Sequence, residues 1–229
     1  MIGRISSALA RLGASHSGVA ATEFALALPF LLGSGLMGLE VGNRAIVSMQ
    51  VNQIAAQIAD NASRIGDTST LDDRKIYESD IDDLLRGASL QTGSGIGLYQ
   101  HGRVIISSLE VVPGTDDRQY IHWQRCAGKK KHISSYGLAG DGLSVGLSGM
   151  GPPGHQVWAF SGEAVMFVEV AYDYQPLMGL TFGLPSEIDS TASFTVRDDR
   201  DLTQIYQRDP ENPSTVEDCA TYNDPTAAA

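Results

Sequence analysis

GVAATEFALALPFLLGSGLMGLEVGNRA, residues 18–45, is the stretch on which the fold turns. Within it, residues 19–39 (VAATEFALALPFLLGSGLMGL) hold a single charge, Glu23. At the helical rise these residues reach roughly 30 Å, the thickness of a bilayer core. Residues 1–18, MIGRISSALARLGASHSG, carry Arg4 and Arg11 and no acidic residue, and the chain beyond the apolar run is acidic. Positive charge before an apolar span predicts a cytoplasmic N-terminus and an extracytoplasmic remainder, crossing the membrane once. Two features go beyond a plain anchor. Glu23 stands inside the apolar run, where an unpaired carboxylate is costly, and Gly18 marks the border between polar leader and apolar stretch.

Gly18 followed by Val19-Ala20-Ala21-Thr22-Glu23-Phe24 resembles the cleavage region of type IV pilins, in particular the Tad (tight adherence, type IVb) branch. The longer string resembles the signature of TadE/TadG-like pseudopilins: Glu-Phe, an apolar run with Pro29, then small residues ending in Glu40-Val41-Gly42. A weaker echo lies in Glu169-Val170-Ala171-Tyr172 and Phe194-Thr195-Val196-Arg197. The resemblance implies that a prepilin peptidase cuts between Gly18 and Val19. Glu23 and Phe24 then become the fifth and sixth residues of the mature chain. It further implies an assembly role for Glu23, whose carboxylate neutralises the new amine of Val19 on its own or a neighbouring subunit. Removing one partner of such a buried pair costs several kcal/mol although the intact pair adds little, so it serves as a register device. The implied partners are the membrane, other pilin or pseudopilin subunits, the peptidase and pilus platform proteins, in pilus assembly, adhesion and secretion.

The helical pattern continues past the span. Val47, Val51, Ile54, Ile58, Ala62 and Ile65 form one apolar stripe, and Gly66 is a stop signal. A continuous helix from Val19 to Arg64 would extend about 70 Å. Pro29 and the group Gly33, Gly35 and Gly38 predict a kink or close helix packing. A second helix is expected over residues 71–86, with Thr70 as N-cap, Asp72 and Asp73 in the first turn and Gly87 as its end; residues 90–97 read as loop. Strand patterns follow at 103–112, 119–126, 157–160, 163–174 and 190–197. Ala164, Met166, Val168, Val170 and Tyr172 alternate with Val165, Phe167, Glu169, Ala171 and Asp173. Residues 137–155 read as a flexible glycine-rich excursion, and the tail from Arg208 as disordered unless Cys219 holds it.

The expected fold class is therefore α+β: a long transmembrane and amphipathic N-terminal helix followed by a small antiparallel sheet, the pilin-like plan. The expected organisation is a leader (1–18), a transmembrane helix (19–40), its amphipathic continuation (41–66), an extracytoplasmic α+β domain (67–207) and a polar tail (208–229). Cys126 and Cys219 are the only cysteines. Outside the cytoplasm they read as one disulfide, and inside it as two free thiols.

A net charge of -11 and a pI near 4.7 argue against nucleic acid as a partner. The one basic run, Lys129-Lys130-Lys131, reads as a solvated loop. His16, His101, His122, His132 and His155 lack metal-ligand spacing. Gly140-Asp141-Gly142 lacks the strand-turn-helix frame of a phosphate loop, and Ser148 misses the final glycine of a nucleophile elbow. The paired acids Asp72-Asp73, Asp82-Asp83 and Asp198-Asp199 lack the spacing of a calcium loop. No catalytic residue, metal or cofactor is expected. The alternative is a secreted or envelope binding domain with an ordinary signal peptide or signal anchor, residues 24–32 acting as its apolar segment and cleavage falling near Gly33–Gly35.

Overall fold

A computed structural model of the chain describes residues 17–67, 73–93, 95–179 and 183–227. Its elements are α1 (Ser17–Ala62), α2 (Glu78–Thr92), α3 (Leu98–His101), β1 (Gly102–Val111), β2 (Gln119–Ala127), β3 (Ala164–Asp173) and β4 (Glu187–Thr195). The layout is α+β, with one four-stranded antiparallel sheet in the order β2-β1-β3-β4. The chain divides into two compact units, residues 1–44 with 176–183, and 45–175 with 184–229. Most of the leader, residues 1–16, lies outside the described residues, as do Thr70 and Asp72.

In the first unit, α1 is long and apolar enough to cross a membrane. Its large apolar side chains, among them Phe24, Leu26, Phe30 and Leu31, are exposed. The helix runs uninterrupted through Pro29. A Cβ added at Gly33, Gly35 or Gly38 would meet nothing within 4 Å, so among the described residues no segment packs on the glycine face.

In the second unit the predicted stripe is present. Val51, Ile54, Ile58 and Ala62 are buried with Ala55 and Ala59, and Val47 and Ile65 are half-buried at its ends. The stripe packs in one core with Val104, Ile106, Met166, Val168 and Tyr172 of the sheet. α2 starts later than its acidic residues suggest. The Asp80 carboxylate accepts the Tyr77 N–H at 3.2 Å and fixes the first turn there. Gly87 does not end α2, which continues to Thr92; Ile81, Leu84, Leu85 and Ala88 on its inner face hold it past the glycine. Residues 90–92 are thus helical, and α3 was not foreseen; Tyr99 in α3 is buried and donates its hydroxyl to the Leu85 carbonyl at 2.6 Å.

The alternation in β3 separates two cores rather than core from solvent. Val165 and Phe167 face a second cluster with Leu109, Ile121, Met150 and Ala159. A bulge in β2 makes this division possible. Ser108 pairs with Trp123 and Leu109 with Ile121, leaving His122 as the extra residue. Without it, Ile121 and Trp123 would share a face; with it, Ile121 enters the second core and Trp123 the first.

The glycine-rich excursion is held against the β2 edge rather than free. Gly140 N–H donates to Ile121 O at 2.7 Å, Ile121 N–H to Asp141 O at 2.9 Å, and Leu147 N–H to Gln119 O at 2.8 Å. Gly142 has φ +93° and passes so close that a Cβ would lie 2.4 Å from the Gln119 carbonyl, which excludes any other residue. The strand expected at 157–160 is reduced to a single bridge between Met150 and Val157. The basic run is not fully solvated either: Lys130 is largely buried, bonded to Asp173 and paired with Glu187 at 3.0 Å.

Candidate functional site

The residues predicted to matter for processing and assembly fall in the first turns of α1. Gly18 and Val19 are helical, and a Cβ at Gly18 would meet nothing within 4 Å. The Thr22 hydroxyl donates back to the Val19 carbonyl at 2.8 Å, an internal bond that removes a polar group from an apolar helix surface. Val19 and Glu23 are four residues apart and therefore neighbours on the helix surface, while Phe24 projects as an exposed aromatic. A carboxylate and the backbone nitrogen it would serve thus lie one turn apart.

The same unit contains a group whose role the sequence signature did not reveal. Glu40 follows the last apolar residue of the run and is 0 % exposed, directly after residues 18–39, all of which are exposed. Its two carboxylate oxygens accept the N–H groups of Leu177 and Met178, each at 3.3 Å. A buried carboxylate is tolerable only when such donors meet it. The signal available in sequence was indirect: residues 176–185 (PLMGLTFGLP) are a second uncharged, apolar stretch.

The outer face of the sheet, away from the helices, carries the second unit's most distinctive features. Cys126 of β2 and Cys219 of the tail are joined in a disulfide, with Cα atoms 4.7 Å apart. The tail then runs beside β2, with Cys126 N–H donating to Glu217 O at 2.8 Å and Gly128 N–H to Asn223 O at 2.7 Å. Arg103 of β1 clasps it from below. Its guanidinium donates to the carbonyls of Gly128 (2.9 Å), Thr221 (2.6 Å) and Cys219 (2.8 Å). Burial lowers the Arg103 pKa from its ordinary value. The tail is consequently built into the domain, as the condition on Cys219 anticipated.

Between the tail and the loop at 132–139 lies a groove of about 610 Å³, floored by Ile105 and Gln124 and rimmed by Ile133, Leu138 and Val216. Gln124 ties the loop down, donating to the Ser107 hydroxyl at 2.9 Å and the Gly137 carbonyl at 3.0 Å. Beside it, Glu169 of β3 is buried; one oxygen accepts from the Ser134 hydroxyl at 3.1 Å, and the other has no hydrogen-bond partner. Burial pushes its carboxyl up to about 7.

On the helix-side face, His122 Nδ1 lies 3.0 Å from Glu110 Oε2, and its pKa is raised chiefly by this bond. The Ser108 hydroxyl donates to Glu110 at 2.6 Å rather than to His122, so this serine is not lined up with the imidazole as a nucleophile. Among the described residues no three His, Cys, Asp or Glu side chains converge as metal ligands. No family model, no curated protein and no solved structure matches this chain.

Proposed function

We propose that this chain is a single-pass, membrane-anchored minor pilin or pseudopilin of the Tad (type IVb) kind, processed after Gly18, with a cytoplasmic N-terminus and an extracytoplasmic α+β domain. The division of α1 supports this most. One continuous helix has an exposed apolar half, residues 19–39, and a second half whose apolar stripe is buried under the chain's own antiparallel sheet. Such an element has its first half free for lipid or for the matching helices of other subunits, while its second half seats a domain. Glu23, the single charge in the free half, then meets the amine that cleavage exposes at Val19. The chain acts by assembly, not by catalysis. Its partners are other pilin subunits, the prepilin peptidase and the pilus platform proteins.

Co-expression with a prepilin peptidase tests the proposal. Membrane-inserted protein should lose the mass of residues 1–18, and Gly18→Leu should block the loss while leaving insertion intact. Cleavage at another site, or none, contradicts it.

A further inference from the structure

β3 and β4 are adjacent antiparallel strands, and joining them needs only two to five residues. The chain instead uses residues 174–186, and the middle of that connection, residues 176–185, carries no charge. Long connections between neighbouring strands generally have a task of their own. Here the described part of the loop belongs to the same compact unit as the apolar half of α1. Leu177 is 61 % exposed and Met178 42 % exposed, although both are apolar. Their backbone N–H groups, by contrast, are given to Glu40, which is buried immediately after the last apolar residue of the span.

This division of labour fits one solvent. In water, exposing Leu177 and Met178 gains nothing, and their amides need no carboxylate. At the boundary of a bilayer the requirements reverse. Backbone donors there must be satisfied from within the protein, and apolar side chains directed outward become favourable. A carboxylate at that depth must also be covered and bonded. Glu40 and the loop meet all three requirements for each other. The position is set by the covalent chain: Glu40 follows Leu39, the end of the stretch that is long enough to cross.

We infer that the β3–β4 loop around Leu177 and Met178 is a second membrane contact, a shallow lipid-binding tip held beside the span by Glu40. It restricts the swing of the helix exit relative to the bilayer surface. The inference rests on the reading of α1 as a membrane span, and is independent of processing after Gly18.

The test uses the full chain in vesicles of phosphatidylethanolamine and phosphatidylglycerol. Both native cysteines are joined in the disulfide, so Met178→Cys can be labelled selectively with an environment-sensitive fluorophore under non-reducing conditions. The same label at Val145→Cys, an exposed position in the other unit, serves as the reference. The label at 178 should be blue-shifted, quenched by lipids carrying a shallow nitroxide and shielded from aqueous iodide; the label at 145 should behave in the opposite way. Equal iodide access at both positions overturns the inference. Shielding of position 178 that appears only when other pilin subunits are added also overturns it, because the loop would then be a subunit contact. Because the leader is retained throughout, a negative result here leaves the processing experiment unaffected.

Discussion

The Arg103 guanidinium carbon lies over Tyr222, 4.2 Å from the ring centroid, and joins β1, the first strand of the sheet, to the C-terminal tail. Its nitrogens donate to three carbonyls, those of Gly128, Cys219 and Thr221. Arg103→Met keeps the length of the stem but strands those carbonyls. We expect a loss of about 2–4 kcal/mol in urea unfolding, the range for leaving buried polar groups unpaired. Arg103→Lys should not restore it, because an ammonium cannot span the same fork. A lysine variant as stable as the parent would contradict this.

The Cys126–Cys219 bond spans 93 residues of sequence. Closing a loop of that size in the unfolded chain contributes roughly 4–5 kcal/mol in the chain-entropy account. The double variant Cys126→Ser, Cys219→Ser should therefore melt about 10–15 °C lower, given the usual scaling for chains of this size. Limited proteolysis should open the tail after residue 208 first. An unchanged melting temperature would show that the non-covalent contacts, those of Arg103 and the Cys126 and Gly128 amides among them, hold the tail without the disulfide.

Glu169 provides the pH dependence. Its folded pKa, pushed up to about 7 by burial, lies above the ordinary value of 4.5. The protonated form is the one the fold favours, so the stability tied to it is fully present below pH 4.5 and is lost as pH rises through 7. The loss amounts to up to about 3 kcal/mol, from the conversion of pKa differences to free energy. Asp82, whose carboxyl burial pushes up to about 6, adds to the same slope. Glu169→Gln should flatten the fall in stability between pH 5 and 8 and stabilise the protein at the upper end. Denaturant midpoints across that range measure it; an unaltered slope would assign the effect elsewhere.

Glu23→Ala removes the one charge of the apolar half of α1. It should leave peptidase cleavage nearly intact while abolishing recovery of other pilin subunits in a pull-down from membranes. Undiminished recovery would remove Glu23 from assembly.

The elements legible in the sequence are those that repeat. The stripe from Val47 to Ile65 has helical spacing and packs into one core, and the alternating stretch 164–173 forms a strand, β3, whose two faces are both covered. What escaped depends on a partner distant in sequence or on a single backbone event. Tyr77 and Asp80 begin α2 beyond the expected Thr70, and Gly87 remains helical because Leu84, Leu85 and Ala88 bury around it. The extra residue at His122 reverses the faces of β2 and has no compositional marker. Lys130 reads as one of three surface lysines until Asp173 and Glu187 are brought to it by folding. Glu40 was visible as part of a signature, but its burial depends on amides 137 and 138 residues further along.

The most direct test of the pilin account is the N-terminal residue of the protein recovered from bacterial envelopes, read by Edman degradation or terminal-peptide mass spectrometry. The account predicts Val19. A chain that still begins with the arginine-bearing leader, or one that starts beyond Gly33, would contradict it.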